Sequence, residues 1–236
     1  VPGSVKKKGG GSSETHCSRR DIRNLALIGH SHCGKTTLAE KMLSLSSATS
    51  SRCPNLDSDP TESSRGSSVF SHYLRVPHRT TGSLLEIVDT PWGDFPLDAL
   101  ASLDGADGAV VLVSAADGVK AGTVGSYEHC CDAGIGVLMG MSKMDRPYSD
   151  PAGVLNELET KLGARPVPIQ VSLGAGENFG GVVPLFVYNK GGTLIKNPSD
   201  TDGIEEAWTA LEETIAMTDD NLLVEYLKTG TLDPSQ

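Results

Sequence analysis

No apolar run in the 236-residue chain reaches the roughly 20 residues that a membrane-spanning helix needs, and residues 1–20 hold no stretch fit for a signal-peptide core. A cytosolic or organellar location away from the membrane is therefore expected. Basic residues are also in short supply: 20 Lys and Arg face 30 Asp and Glu, for a net charge of −10. That balance argues against a surface built to neutralise nucleic-acid phosphates, while leaving room for a local basic patch or a protein partner. Paired cysteines are missing too. The five residues Cys17, Cys33, Cys53, Cys130 and Cys131 are odd in number and include no Cys-x-x-Cys, so no disulfide scaffold is expected. His stands beside Cys at His16-Cys17, His30-Ser31-His32-Cys33 and His129-Cys130-Cys131, but without paired spacing these read as structural thiols rather than zinc ligands.

What is present, 38% hydrophobic and 21% charged residues, suits one larger or two small soluble domains. Val1 to Arg20 is rich in Gly, Ser and Lys with no hydrophobic periodicity, and is expected as a flexible tail. After it, short apolar runs at Ile22–Ile28, Leu84–Val88, Ala109–Val113, Val137–Met141 and Pro166–Val171 read as buried strands. Leu38, Met42 and Leu45 fall at helical spacing between them, as do Val154, Leu155, Leu158 and Leu162. Ala116–Ala133 occupies a further crossover position, although Gly118, Gly122 and Gly125 weaken its helical pattern. Strands alternating with helices predict an α/β fold with a mostly parallel sheet and helices on both faces. Two later stripes, Ile204, Ala207, Trp208, Leu211, Ile215 and Leu222, Leu223, Tyr226, Leu227, predict helices packed on a core. Ser44 to Gly66 has hardly any apolar content and is too long for a simple turn, which predicts a functional loop.

The strongest chemical signal is Gly29-His30-Ser31-His32-Cys33-Gly34-Lys35-Thr36, followed by Thr37, set directly after an apolar strand and before a helix. A loop wrapped around a phosphate turns its backbone N–H groups inward, which Gly29 and Gly34 permit, and the helix adds the positive end of its dipole. Lys35 is expected on the β- and γ-phosphates and the Thr36 hydroxyl on Mg2+. This makes the fold a P-loop NTPase. Asp89, ending the run Leu84–Val88, is the candidate carboxylate for Mg2+, with the next loop sensing the γ-phosphate. At the end of Val137–Met141 stands Ser142-Lys143-Met144-Asp145. Asp145 can accept hydrogen bonds from guanine N1–H and the exocyclic amine, a donor pair adenine lacks, while the Lys143 stem lies along the base.

In order and spacing, Arg23-Asn24-Leu25-Ala26-Leu27-Ile28-Gly29-His30, the phosphate loop, Asp89-Thr90-Pro91 and Ser142-Lys143-Met144-Asp145-Arg146-Pro147 resemble the GTPase domain of translation elongation factor G. The resemblance runs from about Arg23 to Ser235. Arg165–Gln170 and Gly176–Val183 resemble the start of a small α+β subdomain inserted in that domain, and Leu222–Leu227 its helical exit. Gly93-Asp94-Phe95 looks most like a bacterial paralogue branch. The resemblance implies a GTP- and GDP-binding, ribosome-associated switch of the translocation or recycling class, using Mg2+. It divides the chain into a tail (1–20), a GTP-binding domain (21–165, with a long first switch loop at 44–68) and the insert with its exit helices (166–236). The family's last guanine-binding motif would follow Tyr226-Leu227, so the chain is expected to be a fragment, incomplete at its C-terminus.

Three departures from the family pattern stand out. The second switch normally carries Asp-x-Pro-Gly and then a His that positions water, whereas Asp89-Thr90-Pro91-Trp92-Gly93 puts Trp92 there and leaves Gly93 to contact the γ-phosphate. An indole has only a donor and cannot take a proton from water, so no catalytic residue is named. In the first switch Arg65-Gly66-Ser67-Ser68 offers Ser68 in place of a Thr as the Mg2+ hydroxyl, and Ser142 replaces an Asn. The alternatives to a GTPase are a non-hydrolysing guanine-nucleotide module and an ATP-using P-loop enzyme with a chance Lys-x-x-Asp.

Overall fold

The computed structural model describes residues 21–46, 56–57, 59–65, 67–78, 82–92, 96–188, 194–199 and 201–232. The expected tail, Cys17, Cys53, Gly66 and Gly93 lie outside the described residues.

Five strands form the main sheet: β1 (Ile22–Ile28), β2 (His72–Pro77), β3 (Leu84–Asp89), β4 (Gly108–Ser114) and β5 (Gly136–Ser142), in the order β2-β3-β1-β4-β5. All neighbours are parallel except β2, which pairs antiparallel with β3. Successive strand residues point to opposite faces, and here both faces are apolar. Ala26, Ile28, Val111 and Val113 join one core with Leu103, Cys130, Val154 and Leu158. The intervening Leu27, Val110 and Leu112 join the other with Ala39, Leu74 and Ile87. The first core is covered by α3 (Pro96–Leu103), α4 (Ala121–Asp132) and α5 (Pro151–Leu162), the second by α1 (Lys35–Ser46), with Leu74 and Val76 of β2 on the same face of the sheet. The expected α/β architecture is thus present. Because β1, β3, β4 and β5 are parallel, Ile28, Asp89, Ser114 and Ser142 end at one edge of the sheet, where doubly wound folds bind ligands.

Local chemistry sets the helix ends. Asp150 caps α5 by accepting from Gly153 N–H, Pro151 starts it, and Gly163 ends it at a left-handed φ of 62°. Beyond α5 come the hairpin β6 (Gln170–Leu173) with β7 (Gly181–Pro184), the short pair β8 (Phe186–Tyr188) with β9 (Leu194–Lys196), and two helices, α6 (Ile204–Ala216) and α7 (Asp220–Thr229). Leu185, Ile204, Trp208 and Leu211 form a third core with Val167, Val171 and Phe186.

The structure corrects several expectations. The run Pro166–Val171 becomes ladder only from Gln170, since Pro166 and Pro168 have no N–H to donate. The loop expected at 44–66 contains a short helix, α2 (Pro60–Arg65), and the crossover at 116–133 is helical only from Ala121. The stripe on α7 is largely open, with Leu227 75% exposed, because the helix packs chiefly on α6. Cys33 and Cys130 are buried free thiols, as a structural role requires, whereas Cys131 is exposed and does not fit that reading. None of the described helices is long and apolar enough to cross a membrane.

Candidate functional site

The turn from β1 into α1 brings backbone against backbone. Gly29 has a φ of +133°, and a side chain there would collide with the carbonyl oxygen of Leu112 on β4. Gly34 adopts a φ of +98°, a second backbone setting that favours glycine. Lys35 follows with only 7% of its surface exposed, and its Nζ donates to the carbonyls of Gly29 and His30, both at 3.1 Å. A charge held inside the loop that curls over it is what a phosphate site needs. Burial pushes the Cys33 thiol up, against the opposing pull of Lys35. His30 leans on α4, where a Cβ on Gly122 would come within 2.8 Å of its Nδ1. Ser31, His32, Gly34, Lys35, Thr36 and Thr37 line one wall of a cavity of about 220 Å³; Asp57, Ser67, Ser68, Thr90, Pro91 and Trp92 line the rest.

Next in the chain to Thr90 of that lining stands Asp89, fully buried, with no hydrogen-bond partner for either carboxylate oxygen. Burial raises its pKa to about 6, the Thr36 hydroxyl and the Lys35 charge opposing the shift without meeting hydrogen-bond geometry at either oxygen. Ser68 Oγ donates to Asp57 Oδ1 at 2.8 Å and lies 3.0 Å from Thr36 Oγ1. Since a hydroxyl has one proton, Thr36 is the donor in that second contact. Thr90 donates to the Leu27 carbonyl at 2.8 Å, pinning the start of the following loop to β1. Trp92 is 6% exposed; its ring packs into the first core, 6.2 Å from the His129 ring, while still lining the cavity.

The end of β5 approaches the same loop from the other side. Ser142 Oγ donates to the Cys33 carbonyl at 2.6 Å, with the Val113 carbonyl a weaker second acceptor at 3.3 Å. Lys143, at a positive φ of 56°, pairs with Asp117 Oδ2 at 3.1 Å. The Ser114 hydroxyl, 2.6 Å from Asp117, and then Lys143 hold that carboxyl below its usual range. Asp145 is exposed to solvent. The loop is shaped by Met144, whose carbonyl accepts from Ser149 Oγ and Gly176 N–H at 2.9 and 2.8 Å.

The candidate residues therefore fall into two groups. Lys35, Thr36, Ser68 and Trp92 line the cavity with Asp89 buried behind Thr36 and Lys35, and Ser142, tied to Cys33, joins the loop to the outer group of Lys143 and Asp145. Reading the sequence alone missed Asp117, which has no motif around it, and Asp57, Glu62 and His72, whose ligand atoms lie within 4.8 Å of one another.

Residues 20–226 match the family described as Elongation factor Tu GTP binding domain. Peptide chain release factor 3 of Symbiobacterium thermophilum is 34% identical over 174 residues, 69% of this chain and 33% of that protein. Elongation factor G 2 of Geobacter metallireducens is 30% identical over 225 residues, 88% of this chain and 32% of that protein. The crystal structure of ttk003000868 from Thermus thermophilus superposes with a TM-score of 0.73 at 27% identity, covering 88% of this chain and 33% of that one. The chain thus spans about a third of the length of the relatives it matches.

Proposed function

We propose that this chain, which belongs to the elongation factor Tu GTP binding domain family of translation-factor GTPases, binds GDP and GTP in the cavity at the β1–α1 turn. The observation that carries the reading is Lys35 held inside its loop, with the hydroxyls of Thr36 and Ser68 and the unpartnered carboxylate of Asp89 gathered beside it. Residues Gly29 to Thr37 cradle the phosphates. Trp92 and Gly93 belong to the segment assigned to sensing the γ-phosphate, and Ser142, Lys143 and Asp145 are assigned to the guanine. Thr36, Ser68 and Asp89 fit Mg2+: the donors are all oxygen, and the buried carboxylate has no hydrogen-bond partner at either oxygen. Bound there, Mg2+ would neutralise charge on the phosphate oxygens. Residues 21–165 act as the nucleotide domain and 166–236 as the insert. The partner in this reading is the ribosome, in cytoplasm or organelle.

A titration with fluorescent GDP and ADP in Mg2+ tests this. Selective GDP binding, lost in Lys35→Ala and Asp145→Asn of intact circular dichroism, is expected; equal ADP binding would refute the guanine assignment. One observation favours a second reading, a module that reports nucleotide state without hydrolysing it. The buried Trp92 offers no acceptor to an attacking water. Single-turnover GTP hydrolysis by the chain, without and with ribosomes, separates the two.

A further inference from the structure

Glu62 is an acid where the sequence has no obvious need for one. It sits on α2 with its side chain fully buried, and Oε1 accepts the backbone N–H groups of Val69 and Phe70 at 2.9 and 3.1 Å. Its other oxygen, Oε2, has no hydrogen bond and faces His72 Nε2 at 3.4 Å. The His72 Nδ1 atom is equally without a hydrogen-bond partner, so either tautomer is open and the ring can present a lone pair. Asp57 completes the group, one ligand atom from each residue lying within 4.8 Å of the others. A buried carboxylate oxygen with no hydrogen bond is costly, and a cation is the partner that these three donors can share.

From this geometry we infer a second metal site, at Asp57, Glu62 and His72, for a divalent ion of the zinc class. Two ligands about 2.0–2.1 Å from a tetrahedral centre lie about 3.4 Å apart, which the Glu62–His72 spacing already meets, and Asp57, within 4.8 Å of both, has at most about 1.4 Å to close. Imidazole beside carboxylates suits zinc and its transition-metal neighbours, whereas Mg2+ takes oxygen donors and keeps its water. Water fills the fourth position. The site lies beside Thr36 and Asp89 and meets them in two places: Asp57 accepts the Ser68 hydroxyl that meets Thr36, and His72 stands opposite Asp89 in the β2–β3 ladder. Metal loading therefore clips α2 and the segment around Asp57 onto β2, beside the nucleotide cavity.

The test is a titration of the full, chelator-stripped chain with Co2+ and then Zn2+, read by the visible bands of Co2+ and by calorimetry. One equivalent of Co2+ should bind with no thiolate charge-transfer band and be displaced by Zn2+. His72→Gln and Glu62→Gln should each weaken binding about tenfold or more. The Gln at position 62 keeps an oxygen for the Val69 and Phe70 amides, so that variant remains decisive should His72→Gln fail to fold. Absence of saturable binding, a thiolate band, or undiminished affinity in a folded variant would overturn the site.

Discussion

Asp89 has a side chain that folding alone does not favour. Its pKa is near 6 in the folded chain, against about 3.8 when exposed, so the folded state holds its proton more tightly than the unfolded state. The sign follows from linkage: this group stabilises the fold relatively at low pH, and that contribution is lost as pH rises through about 6. Asp89→Asn should therefore make the nucleotide-free chain more stable at pH 7 by about 1–3 kcal/mol. Urea titrations across the pH range would show the gap opening between about pH 4 and 6 and flat above. A gap that widened below pH 4 instead would contradict the assignment. Ser142 makes the opposite case, a side chain whose visible task is to hold the Cys33 carbonyl. Ser142→Ala removes a hydrogen bond of about 1 kcal/mol and should weaken GDP binding about fivefold. Unchanged affinity would mean that the phosphate loop does not need this tie. Both residues were legible in the sequence because each follows an apolar run. The burial of Trp92 was not, since nothing local says that its ring turns into the core.

At the level of elements, α4 carries two glycines that look alike in sequence and differ in surroundings. A Cβ at Gly125 meets nothing within 4 Å, whereas one at Gly122 meets the His30 backbone at 3.0 Å. Ala is favoured over Gly inside a helix by about 0.5–1 kcal/mol, so Gly125→Ala should raise stability by that amount. Gly122→Ala should lower stability and GDP affinity together, because the phosphate loop has to move. Thermal melts and GDP titrations of the pair check this, and equal behaviour would remove the close approach from the account. The long parallel strands and amphipathic helices were readable because their apolar periods run for many residues. Strands β8 and β9, three residues each, are too short to show a period at all. β2 did alternate, Leu74 and Val76 in against Tyr73 and Arg75 out, but it stands at the end of the sheet beside β3 and its run is brief. The cluster of Asp57, Glu62 and His72 spans a loop, a short helix and this strand, and only folding joins them.

For the molecule as a whole, the two tryptophans sit in different cores: Trp92 in the first, beside the cavity, and Trp208 in the third, edge-on to Phe186 at 5.2 Å. The loop before β7 is tied to the loop after β5 by the hydrogen bonds of Gly176 N–H to the Met144 carbonyl and Ser149 Oγ, 2.8 and 2.7 Å. If those bonds are a hinge rather than a weld, ligand binding at the cavity should stabilise the first core more than the third. Trp208→Phe leaves Trp92 as the only indole and Trp92→Phe leaves Trp208, so fluorescence in urea follows each core alone. With GDP and Mg2+ at a hundred times Kd, the Trp92 transition should gain about 2.7 kcal/mol. The Trp208 transition should gain distinctly less. Coincident transitions that shift together would instead mean that residues 166–232 fold as one cooperative unit with the nucleotide domain. The nucleotide state would then reach the insert through stability itself, without a separate motion of one part on the other.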